Sequence, residues 1–143
     1  MKKHLLWLPV VAVVIGAAIC KPVKEAREEK PVDKSISFAV YKGNNYASDV
    51  YNYTSAQVHI TLEKVSGAKR TTVWEKTFDA KLLKQYPSME NALSQKVTVS
   101  NVNDKKEHLE VKYVLIYNSK GSELQMQNDA VVSGGAEKLN ISI

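Results

Sequence analysis

The chain has 143 residues, 44% of them hydrophobic and 24% charged, and its 20 basic and 15 acidic side chains leave a formal charge of +5. Two of those charges are Lys2 and Lys3, and the remaining excess is dispersed; the closest basic pairs are Lys69-Arg70 and Lys105-Lys106, the second flanked by Asp104 and Glu107. Nucleic-acid binding needs basic residues gathered on one face, so this pattern argues for no nucleic acid partner, and a single cysteine rules out an internal disulfide framework.

After Lys2, Lys3 and His4 the chain runs from Leu5 to Cys20 without a charge, broken only by Pro9. As a helix this stretch would be about 24 Å long, short of the roughly 30 Å hydrocarbon core that a spanning helix must cross. A basic start followed by a short apolar run reads as a removable export signal. The run ends in "GAAIC", Gly16 to Cys20. This layout resembles that of bacterial lipoprotein precursors, in which a small-residue box ends in a cysteine that is diacylated and becomes the mature N-terminus. The resemblance covers residues 1-20 with the charged stretch that follows, and it implies lipidation of Cys20 and a membrane partner reached through the lipid. Two acyl chains give stable anchoring where one gives only marginal binding. Ile19 stands where that pattern carries a small residue, and Gly16-Ala17-Ala18 offers a competing cleavage after Ala18. A retained anchor is the third reading. The expected location is the cell envelope, periplasmic or surface-exposed, with secretion as the alternative.

Residues 21-34, "KPVKEAREEKPVDK", are charged and proline-containing, with almost no large apolar side chain. Such a segment buries too little surface to offset its ordering entropy and is expected to be a flexible tether. The remaining stretch, 35-143, is long enough for one domain with one core.

Alternation with period two dominates this stretch. Ile36, Phe38 and Val40 share one parity, as do Ala56, Val58, Ile60 and Leu62, opposite Gln57, His59, Thr61 and Glu63. Leu109, Val111, Tyr113, Leu115 and Tyr117 repeat the pattern, which marks half-buried strands. Glycines in "VSGAKR" (65-70) and "NSKGSE" (118-123) suggest hairpins with loops of three to five residues. The spacing predicts strands near 35-42, 54-65, 70-78, 95-102, 107-118, 122-132 and 137-143, and hence an all-β fold, a single antiparallel β-sandwich of immunoglobulin-like or C2-like type. Between them, 79-93 breaks the alternation, and Leu82, Leu83 and Tyr86 are expected to cap one end of the sandwich from a short helical turn before Pro87.

Catalytic constellations are sparse. Beyond residue 20 the histidines are His59, on the polar face of a strand, and His108, between Glu107 and Glu110; neither accompanies a nucleophile motif. Cys and His ligands at zinc spacing are missing. Asn101, Asn103, Asp104 and Glu107 offer oxygens but lack the spaced carboxylates and glycine of a calcium loop. Gly134-Gly135 precedes a strand, not a helix, and so suits a turn better than a phosphate loop. These residues point to a protein that is not an enzyme, with no cofactor and no metal site.

Aromatics carry the binding hypothesis. "VYKGNNYASDVYNYTS" places Tyr41, Tyr46, Tyr51 and Tyr53 in a loop-rich stretch between two strands. Tyrosines there can stack on a glycan or anchor an envelope protein, because each presents a large rigid face and a hydroxyl; the competing role is to seal the end of the core. Tyr46, Tyr51 and Tyr53 are the candidate ligand contacts. Trp74 reads as a core residue. The last strand, "EKLNISI", either closes a sheet or pairs between subunits by strand addition, as pilin-like assemblies do.

Overall fold

The computed structural model describes residues 30-143. Cys20 and most of the expected tether lie outside the described residues. Seven strands follow one another: β1 (Val32–Tyr41), β2 (Thr54–Ser66), β3 (Lys69–Leu82), β4 (Leu93–Val102), β5 (His108–Ser119), β6 (Ser122–Val132) and β7 (Ala136–Ser142). They form a three-stranded sheet, β4-β1-β7, packed on a four-stranded sheet, β3-β2-β5-β6. The fold is an all-β sandwich.

Each expected strand is present, and the differences are local. β1 starts at Val32, inside the stretch expected to be tether, because Val32 and Lys34 already pair with Val102 and Val99 of β4. β3 runs on to Leu82, paired with Ser55. The sandwich is not purely antiparallel: β7 lies parallel to β1, with Ser35 opposite Ala136 and Tyr41 opposite Ser142. β6 belongs to the four-stranded sheet, so the chain crosses between sheets before β7 and can join β1 in the parallel sense.

The hairpin loops are also shorter than expected. Ser66 pairs with Lys69, which leaves only Gly67 and Ala68 in the turn; Gly67 alone has positive φ, +57°, suiting a turn with glycine first. Ser119 pairs with Ser122 around Lys120 and Gly121, both at positive φ. That is the two-residue turn whose twist matches the strands it joins.

The core lies between the sheets. Ile36, Phe38 and Val40 from β1 meet Val58, Ile60 and Leu62 from β2, with Leu109, Val111 and Leu115 from β5 and Ile141 from β7. Trp74 of β3 is partly buried and stacks on Phe38, with ring centroids 5.3 Å apart and planes within 6°. Leu83 and Tyr86 cap one end of this core through the 3-10 turn Leu83–Gln85, as expected, whereas Leu82 points to solvent at 37% exposure. Tyr86 donates a 2.8 Å hydrogen bond to the Ala56 carbonyl, and burial pushes its phenol up to about 12.

The connections sort into two ends. One carries the entry to β1, the Gly67 turn, the β4–β5 loop and the β6–β7 connection, since Val32 pairs with Val102, Val65 with His108 and Leu109 with Val132. The opposite end carries loop 42-53, the turn segment 83-92, the Lys120-Gly121 turn and Ile143. β2 alone, at 13 residues, separates the two by about 40 Å.

Candidate functional site

Loop 42-53 is pinned at its start. Lys42 donates its backbone N–H to the Pro87 carbonyl and Gly43 to Ile143, both at 2.9 Å. A Cβ on Gly43 would lie 2.3 Å from the Ser142 hydroxyl oxygen and 3.5 Å from the Ile143 carbonyl, so a larger residue here would have to turn the Ser142 side chain aside. The loop then makes a 3-10 turn, Asp49–Tyr51, after which Asn52 donates to Asp49 Oδ1 and accepts from the Lys84 ammonium.

The three candidate tyrosines take different roles. Tyr46 packs against the core and its hydroxyl donates to the Ile143 carbonyl. Burial raises the pKa of its phenol. Its φ of +51° is an unfavourable region for a side chain of that size, and packing and the hydrogen bond hold it there. Tyr46 is therefore a seal between the loop and the chain's last strand. Tyr51 rests edge-on against Tyr46, with centroids 5.1 Å apart, and is 37% exposed. Tyr53 is 70% exposed, as is Val50. The structure thus brings Tyr46 and Tyr51 together and leaves Tyr51, Tyr53 and Val50 as the large apolar side chains exposed on this loop. Sequence reasoning missed Val50, whose signal is its place between two polar-flanked tyrosines in a stretch without alternation.

The histidines are held by neighbours on an open sheet face. His59 Nδ1 is 2.8 Å from the Thr77 hydroxyl and Nε2 is 3.2 Å from that of Thr61. His108 lies at 2.9 Å from Glu110, inside a network in which Arg70 bridges Glu63 and Glu110 and Lys112 reaches Glu63 at 2.8 Å. The Lys112 ammonium first, with Arg70, lowers the Glu63 pKa; Arg70 first, then His108, lowers that of Glu110.

In the 101-107 loop the side chains of Asn103, Asp104 and Glu107 have partners. Asp104 pairs with Lys34 at 2.7 Å, Glu107 accepts the Asn103 backbone N–H, and Asn103 Oδ1 accepts that of Lys105. Among the described residues, no group of three His, Cys, Asp or Glu side chains is placed to hold a metal ion, and no helix is long and apolar enough to cross a membrane.

β6 holds a surface that the alternation pattern did not reveal. Leu124 and Met126 share the inward parity of Val132, facing Tyr117 and Leu115 across the strand pair, yet they are 60% and 48% exposed. Three strands cannot cover four, and the start of β6, an edge strand of the larger sheet, overhangs uncovered by the described residues. No protein-family model, curated protein or solved structure matches the chain.

Proposed function

We propose that this is an exported, lipid-anchored protein of the cell envelope whose β-sandwich acts as a non-catalytic binding module for a glycan or another envelope protein. The observation that carries the reading is polarity along the molecule: the chain enters the sandwich at one end, and the exposed Val50, Tyr51 and Tyr53 sit at the other. A domain held through Cys20 would present that loop away from the lipid. Rigid aromatic side chains on a pinned loop lose little entropy on binding, which suits them to contact a ligand.

The test is retention on glycan and envelope-protein arrays. Tyr51→Ala with Tyr53→Ala abolishes retention and leaves the fold intact; unchanged retention would remove the loop from the reading.

A second reading, a strand-exchanging assembly subunit, is favoured by the exposure of Leu124 and Met126 on the edge strand β6 and by β7, whose outer edge is free among the described residues. An added strand would pair with such an edge. It requires concentration-dependent polymers, and sedimentation showing a monomer throughout the micromolar range would eliminate it.

A further inference from the structure

We infer that the entry end of the sandwich carries a binding site for the anionic headgroups of phospholipids, formed where Lys64 and Ser66 of β2 face Lys69 and Thr71 of β3. The inference rests on the proposed lipid anchoring, because the anchor is what sets this end against a bilayer.

The site follows from register. A shift in the β2–β3 ladder after Leu62 puts Lys64 directly opposite Thr71 and Ser66 opposite Lys69. Two ammonium groups and two hydroxyls therefore converge on one cleft, closed on its far side by Glu107. Glu107 is already engaged: its carboxylate accepts the Asn103 backbone N–H at 3.0 Å and lies 3.6 Å from Lys64. The Asn103 N–H first, then Lys64, lowers its pKa, so it stays ionised and turned toward its own loop. Other acids of this end have partners of their own: Asp104 pairs with Lys34, Glu63 and Glu110 with Arg70, Asp33 accepts the Asn101 backbone N–H and Glu137 that of Ser133. Lys69 and Ser66 lie on the exposed rim. What the cleft offers is N–H and O–H donors with a surplus of positive charge, the chemistry that takes a phosphodiester oxygen.

Position selects the source of that phosphate. Eleven residues separate Cys20 from Val32, a reach of at most about 40 Å. The entry end stays within that distance of an anchoring bilayer, and the tyrosine loop is carried further out. Each lysine close to an anionic leaflet gains attraction, and the gain falls off within a Debye length.

The experiment uses the protein purified from membranes and reconstituted in vesicles of phosphatidylcholine alone or with one-third phosphatidylglycerol. Lysines are labelled with an amine-reactive reagent and read by peptide mass spectrometry. Labelling of Lys64 and Lys69 is expected to fall about fivefold in the anionic vesicles, with Lys42 and Lys84 at the opposite end unchanged. Equal labelling in both vesicles overturns the inference. Protection by inorganic phosphate over neutral vesicles, without further protection by phosphatidylglycerol, also overturns it by assigning the cleft to free anions. Failure of the anchoring reading is distinguishable, because it appears as a missing acyl mass in the same preparation; the unacylated protein is then labelled with vesicles added from outside, where the same two results decide.

Discussion

Lys34 shows how a single residue reconciles alternation with chemistry. It has the inward parity of Ile36 and Phe38 and is 4% exposed, yet its ammonium reaches Asp104 at 2.7 Å at the entry end. The long aliphatic stem fills the end of the core while the charge finds a partner at the rim. Replacing the cation and removing its partner should therefore differ. Asp104→Ala leaves a buried ammonium unpaired and should cost about 1 to 2 kcal/mol, less than for a fully buried pair because Asp104 is itself half-exposed. Lys34→Met keeps the volume and should be neutral or mildly stabilising. Urea unfolding of both variants checks this, and a larger loss for Lys34→Met would contradict the assignment.

At the scale of elements, β6 and β7 share an alternating pattern and differ in cover. Ile141 on β7 is fully buried, whereas Leu124 on β6 points toward the same interior and is 60% exposed. Ile141→Ala should cost about 3 kcal/mol, and Leu124→Ala less than about 0.5 kcal/mol in the monomer; similar losses in thermal unfolding would mean that the overhang is covered. This contrast also marks what the sequence could convey. Period-two patterning states which side of its own sheet a residue faces, so the seven strands and most of the core were legible from Ile36, Val58 or Leu109 alone. Whether an opposite strand lies above that side depends on sheet order, a long-range property, and so the exposure of Leu124 and Met126 was not legible. Parallel pairing of β7 escaped for the same reason. The tyrosine loop was legible as a candidate because aromatics outside a strand pattern stand out, but the division between Tyr46 and Tyr53 was not. It depends on Tyr46 reaching Ile143, 97 residues away.

For the whole molecule, the charges and buried phenols set the pH range of stability. Glu63, Glu107 and Glu110 are held below the ordinary carboxylate value of 4.5. Their contribution is complete above that pH and is lost as the pH falls through their depressed values. Melting temperature should stay level from neutrality to about pH 5 and then drop, with Glu63→Gln and Glu110→Gln together flattening the drop. Tyr86 behaves in the opposite sense. Its phenol is raised from 10.0 to about 12, so its contribution is complete below pH 10 and is lost as the pH rises toward 12. Tyr86→Phe should reduce that alkaline loss while giving up the hydrogen bond to Ala56, about 1 kcal/mol at neutral pH. An acid transition unchanged by the glutamate substitutions would show that other groups control it.

The proposed polarity of the molecule, with an anchor at one end and the tyrosine loop at the other, depends on what happens at Cys20. The decisive measurement is intact-mass and N-terminal peptide mass spectrometry on protein expressed from the full gene in a bacterium, read alongside membrane fractionation. The account predicts a chain that begins at Cys20, carries the mass of its acyl groups and sediments with membranes. A chain beginning at Ile19 without lipid, or one retaining Met1, would contradict it.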